Sequence, residues 1–125
     1  MKRESNLVSW FEIPVLDLPR AIKFYEQVFE IELHEMSMGP YLMACFPHEK
    51  NIMGAGGTLV KGNGFKPSHE GSLLYFSVSN IDEAMSRVLE QGGKILMPKM
   101  SIGEYGFMAY FEDSEGNKVA LHCMG

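Results

Sequence analysis

Val15, Asp17, Leu18, Ala21 and Ile22 are matched, at one constant offset, by Val78, Asn80, Ile81, Ala84 and Met85. Further along, Met43-Ala44-Cys45-Phe46 is answered by Met108-Ala109-Tyr110-Phe111 at nearly the same offset. Few of the paired residues are identical, yet their order and chemistry agree. A chain that writes one pattern twice in this way is confined to folds built from two like units, here two β-α-β-β-β modules.

The first unit opens on Val8–Phe29. Val8 to Val15 is rich in β-branched, aromatic and apolar residues over a length that suits one strand. Asp17 supplies an N-cap whose carboxylate can accept a free backbone N–H at the positive helix end. Leu18, Ala21, Ile22, Tyr25, Val28 and Phe29 follow at helical spacing, with Arg20, Lys23, Glu26 and Gln27 opposite, which predicts an amphipathic helix packed on a sheet. Ile31–Met36 and Tyr41–Phe46, parted by the turn residues Ser37-Met38-Gly39-Pro40, read as a hairpin. A polar loop at Pro47–Asn51 leads to a strand at Ile52–Val60 interrupted by Gly54, Gly56 and Gly57. No helix or Lys-Ser/Thr follows these glycines, so they read as a bulge or a close backbone approach, not a phosphate loop.

Lys61–Gly71 is rich in Gly, Pro, Ser and charge and reads as the tether between modules, or as a flap over a site. The second unit then starts: a strand at Leu73–Val78, Asn80 as cap, and Ile81, Ala84, Met85, Val88 and Leu89 as the apolar helix face, ended by Gly92-Gly93. Strands near Lys94–Met97, Phe107–Glu112 and Lys118–Cys123 complete it, the last two joined by a turn at Asp113–Asn117. Residues 1–6 form a lead-in expected to fray.

A length of 125 residues makes one domain, 1–125, with modules at about 7–60 and 72–124 and the linker at 61–71. The net charge of −5, with no basic run, excludes a nucleic-acid backbone as the main partner. No apolar stretch is long enough to span a bilayer, and MKRESN leads into a strand, so no membrane partner and a cytoplasmic setting are expected. Cys45 and Cys123 lack CxxC spacing and read as reduced thiols. His34-Glu35 lacks the second His of a zincin helix, and His48 and His69 share no ligand spacing.

The paired modules, the V-x-D-L-x-R-A-x-x-F-Y run of Val15–Tyr25 and the F-x-D-x-x-G-N run of Phe111–Asn117 together resemble the vicinal-oxygen-chelate superfamily, the glyoxalase, bleomycin-resistance and extradiol-dioxygenase group. The resemblance covers about Val8 to His122 and implies an α+β fold in which a mixed sheet curls into a cup with helices outside, commonly as a homodimer. In metal-dependent relatives the cup holds a divalent ion on His, Glu or Gln from the first and last strand of each module. Carried over by motif, those positions fall on Trp10, Leu73 and Ala120, with the fourth at Thr58 or Leu59. Trp, Leu and Ala cannot bind such an ion, so the resemblance implies the scaffold without its metal: no cofactor is expected and no residue is assigned to metal.

Strand alternation places Trp10 with Glu12, Leu73 with Tyr75 and Ser77, and Lys118 and Ala120 with His122. Trp10, Leu73, Tyr75, Met108 and Ala120 are thus candidate ligand-binding residues, with ten methionines in the chain to supply a soft lining. Glu12 and His122 are the candidate catalytic pair. Glu12, between Trp10 and Pro14 in an apolar strand, is expected either to be partly desolvated and so suited to a general base, or to be a strand-end or edge carboxylate tied to Lys118 or solvated. His122 could relay a proton or be a satisfied surface residue, and Tyr75 could orient a ligand or pack in the core. The expected function is a protein that binds a small molecule in its cup. The alternative is a metal-dependent lyase, isomerase or dioxygenase with Glu12 as base or ligand, and a third reading is a pure interaction protein whose cup is self-filled.

Overall fold

A computed structural model describes residues 6–125, so the lead-in expected at 1–6 lies, apart from Asn6, outside the described residues. In chain order the elements are β1 (Trp10–Pro14), α1 (Leu18–Phe29), β2 (His34–Met38), β3 (Tyr41–Cys45), β4 (Gly56–Lys61), β5 (Tyr75–Ser77), α2 (Ile81–Glu90), β6 (Lys94–Ser101), a 3-10 turn (Gly103–Tyr105), β7 (Phe107–Glu112) and β8 (Lys118–Cys123). Local chemistry sets both helices. The Asp17 carboxylate accepts the Arg20 N–H at 3.1 Å, and the Asn80 side chain accepts the Glu83 N–H at 3.0 Å. Beyond α2, Gly92 takes φ +86° and Gly93 N–H donates to Val88 O, so the glycine pair ends the helix as its composition requires.

Each module folds its four strands into its own sheet, in the orders β1-β4-β3-β2 and β5-β8-β7-β6. The first and last strands of a module pair in parallel, joined through the helix and the two middle strands, and the remaining pairs are antiparallel. The α+β fold of two β-α-β-β-β modules is therefore present, but as two unclosed four-stranded sheets. Within these pairings β1 and β5 each keep an edge without a strand partner.

Several strand boundaries differ from the sequence reading, and for three of them the physical reason is plain. β4 starts at Gly56, not Ile52, because Ile52 and Met53 turn outward and stand 64% and 90% exposed. β2 runs on to Met38, since Gly39 at φ +60° makes the turn tight enough for Met38 to pair with Tyr41. β6 continues through Pro98 to Ser101 with two register shifts; it is an edge strand, where a missing N–H is tolerated. β5 keeps only three of the residues expected of it.

Helix α1 buries Leu18, Ala21, Phe24, Tyr25 and Val28, and α2 buries Ile81, Ala84, Met85 and Val88, within one core drawn from both modules. Aromatic rings stitch the halves: Phe24 packs on Phe111 at 6.0 Å, Phe29 on Phe76 at 4.8 Å and Phe11 on Phe76 at 5.7 Å. No helix among the described residues is long and apolar enough to cross a membrane.

The turn at 113–117 is a polar clamp between modules. Asp113 accepts the backbone N–H groups of Glu115 and Asn117, the Asn117 amide and, at 2.6 Å, the buried Tyr25 hydroxyl. Asn117 also donates to Pro14 O at 2.8 Å. The Glu115 carboxylate accepts from Leu16 N, Asp17 N, Ser114 Oγ and the Arg20 guanidinium, whose Nε lies at 2.8 Å. Burial alone would push this carboxyl up, but the bonds from Arg20, Asp17, Ser114 and Leu16 outweigh it and hold the pKa down to about 2. The same burial, with Asp113 beside it, pushes the Tyr25 hydroxyl well up, so it stays a donor.

Candidate functional site

Register assigns the faces. In the second sheet Tyr75, Ala120, Tyr110 and Met97 lie in one transverse row, and Ser77, His122, Met108 and Met100 in the next. Their side chains share the face opposite α2. The Tyr75 and Tyr110 hydroxyls lie 3.3 Å apart, which raises the Tyr75 pKa through that hydrogen bond, and Lys118 Nζ sits 4.7 Å above the Tyr110 ring. Tyr75 Oη also reaches Met108 Sδ at 3.8 Å. Ala120, between the two tyrosines, is fully buried. The His122 Nε2–H donates to Tyr105 O at 2.6 Å; a carbonyl only accepts, so this bond fixes the proton on Nε2.

In the first sheet the corresponding row is Glu12, Thr58, Cys45 and His34, followed by Pro14, Val60, Met43 and Met36. Trp10 stands beside Gly56, where an added Cβ would come within 3.0 Å of the indole. This register resolves the fourth metal-equivalent position. Leu59 pairs with Ile13 and belongs to the core, whereas Thr58 faces the open side with Glu12. Thr58 is fully buried and its Oγ1 has no hydrogen-bond partner among the described residues. The four positions therefore carry an indole, a hydroxyl, an isobutyl and a methyl group. That donor set does not fit a divalent ion, which needs imidazole or carboxylate.

The concave space lies along the two free strand edges. One cavity of about 620 Å³ is walled by Phe11, Phe29, Phe46 and Phe76, with Tyr75 and Arg87 at its margin. A second, of about 430 Å³, is lined by Trp10, Glu12, Lys66, Glu70, Asn117 and Lys118. Val8, Phe11 and Leu74 line both, so the two are ends of one cleft between β1 and β5. Arg87 is held there by its Nε–H to Val28 O at 2.7 Å and by Glu30 at 3.8 Å.

The structure thus brings Trp10, Glu12 and Lys118 together at one end of the cleft and Tyr75 at the other, while Leu73, Met108, Ala120 and His122 line neither end. Of the two readings of Glu12 the structure has the solvated edge carboxylate and not the desolvated base: it is exposed on the open face of an edge strand, and none of the ion pairs among the described residues includes it. The linker is fastened, not free to act as a flap. Ser68 exchanges hydrogen bonds with Lys118 N and Asn117, His69 meets Glu112 at 2.8 Å, and Phe65 packs on Tyr41. The four phenyl rings were not anticipated, because alternation assigned Phe11 and Phe76 to the core side. An edge strand offers both of its faces to a cleft running beside it, so the period of two does not select between them.

Known proteins agree with this architecture. A glyoxylase-like domain-containing protein of Didymella fabae is 29% identical over 118 residues, covering 91% of each chain. Among solved structures, a glyoxylase/bleomycin resistance protein/dioxygenase domain from Frankia sp. EAN1pec superposes with a TM-score of 0.73 at 17% identity, over 96% of this chain and 98% of that one. TnmS3, an antibiotic binding protein from Streptomyces sp. CB03234, gives 0.67 at 24% identity, over 99% and 100%. At these identities the structural matches show the fold. The chain spans about half the length of some relatives, 45% of maize glyoxalase I and 44% of another curated protein. A family model matches residues 7–121, and with two modules, two mixed sheets and both signature runs in place, the chain belongs to the glyoxalase/bleomycin resistance protein/dioxygenase superfamily.

Proposed function

We propose that this protein binds a small, largely aromatic or apolar molecule in the cleft between β1 and β5, and does so without a metal ion. The observation that carries the reading is the phenyl-walled cavity of about 620 Å³, continuous with an end that holds Trp10, Glu12 and Lys118. Pockets for drug-sized ligands have volumes of roughly 300–1,000 Å³ and combine apolar walls with a few polar groups. Arg87 and Lys118 would face an acidic or polar end of the ligand, and the rings its planar body. An antibiotic binding protein shares this fold, which supports small-molecule binding as a role open to the scaffold. Two observations weigh against the enzymatic alternative: Glu12 is exposed, and the metal-equivalent positions carry neither imidazole nor carboxylate. As part of the same reading the chain pairs with a second copy, which would cover the apolar side chains left exposed on the edge strand β6, Ile95, Leu96 and Met100. Light scattering at micromolar concentration tests that part.

Trp10 is the only tryptophan, half exposed at the cleft, so its emission reports occupancy directly. Titration with a panel of planar aromatic acids and amides should quench or blue-shift it saturably, equally with and without chelator, and Phe11→Leu should weaken the effect. A response that appears only with added Fe, Ni, Zn or Mn would overturn the metal-free reading. No response across the panel, together with an empty native mass from the producing host, would overturn the binding reading.

A further inference from the structure

On the strands farthest from the cleft, β2 and β3, the open face of the first sheet gathers soft donor atoms. The Cys45 thiol lies 3.2 Å from the Met36 thioether, a diagonal contact across the antiparallel pair. His34 stands directly opposite Cys45, and Met43 directly opposite Met36, so thiol, thioether and imidazole are cross-strand neighbours on one face. Cys45 is half-buried and unbridged, Met36 is 40% exposed and His34 is exposed, so the cluster is open to an incoming ion. On the other side of Cys45, directly opposite it on β4, is Thr58, fully buried with its hydroxyl unpartnered among the described residues.

We propose that Cys45, Met36 and His34 form a binding site for a soft monovalent d10 cation, Cu(I) or Ag(I). Thiolate and thioether sulfur select such ions over hard divalent ones, and imidazole completes a three-coordinate set. Binding is a ligand exchange without redox change: the Cys45 S–H bond breaks, its proton passes to solvent, and a sulfur–metal bond forms. The site's three ligand residues belong neither to the family's metal positions nor to the lining of the cleft proposed above, so each reading can fail without the other.

The test is anaerobic titration of the full chain with Cu(I) against a chromophoric Cu(I) chelator, with and without Zn(II). One equivalent should be withheld from the chelator and not displaced by Zn(II). Cys45→Ser should abolish retention, Cys123→Ser should leave it unchanged, and Met36→Leu should weaken it by about tenfold or more, the scale on which single ligand-shell losses act. Retention in Met36→Leu equal to that of the parent would reduce the site to a plain thiol and overturn the proposal. So would a failure of the parent to withhold any Cu(I). Trp10 emission should be the same before and after loading, since its strand, β1, lies two strands from β3; a ligand-like change there would assign the ion to the cleft instead.

Discussion

Glu115→Gln probes how far the seam between the modules depends on charge. The carboxylate is inaccessible to solvent, while its partner Arg20 is 51% exposed. Lowering its pKa from 4.5 to about 2 corresponds to about 3 kcal/mol of linked stability at about 1.4 kcal/mol per unit. Solvent screening at the exposed guanidinium reduces this to about 2 kcal/mol. The sign follows from the direction: the folded chain holds the group more acidic than the unfolded chain does. Its contribution is therefore complete above the unfolded value of 4.5 and is lost as pH falls toward 2. Urea unfolding at one protein concentration and salt, near neutrality and at about pH 3, measures it. Near neutrality the glutamine variant should be less stable by about 2 kcal/mol. The gap should shrink at about pH 3, because only the parent has a carboxylate to protonate. A variant as stable as the parent near neutrality, or a gap that does not narrow with acid, would refute the assignment of this bond network to charge.

Two further substitutions follow from the same geometry. Tyr25→Phe removes a buried 2.6 Å bond and leaves Asp113 with its three remaining donors, so the urea midpoint should fall by the equivalent of about 1–3 kcal/mol. In the parent, Tyr25 should not ionise in a spectroscopic alkaline titration until the chain unfolds, since burial and Asp113 push its hydroxyl well up. Gly57→Ala brings a methyl group to 2.5 Å from three Phe11 ring atoms, forcing the ring out of its seat. It should cost about 1–3 kcal/mol in unfolding experiments. It should also weaken ligand quenching of Trp10, an effect a purely structural glycine far from the cleft would not have.

Where sequence and structure agree, the signal was local. Asp17 and Asn80 cap their helices through their own side chains, and β7 and β8 have the bounds their alternation implied, because one face of each strand packs into the core. Where they differ, the deciding contact is distant. Whether Pro98 ends a strand depends on which edge of the sheet that strand occupies, and whether Glu12 is desolvated depends on what covers β1. Trp10, Glu12, Tyr75 and Lys118, which alternation groups by shared faces, border the cleft. No such grouping reaches Phe29, Phe46 and Arg87, because they come from α1, the residue after β3 and α2 and meet only after the modules dock. Nor does any period reveal that the 113–117 turn reaches Tyr25 and Arg20 in the other half, although both runs had been noted.

That clamp explains what makes the chain recognisable. Asp17, Arg20, Tyr25, Asp113 and Asn117, the polar letters of the two signature runs, are occupied in capping a helix and locking one half to the other. None of them lies on the open sheet faces where coordinating groups would sit. Kinship and chemistry are thus written in separate alphabets in this protein: the floor of the sheets can be rewritten residue by residue while every mark of ancestry stays legible.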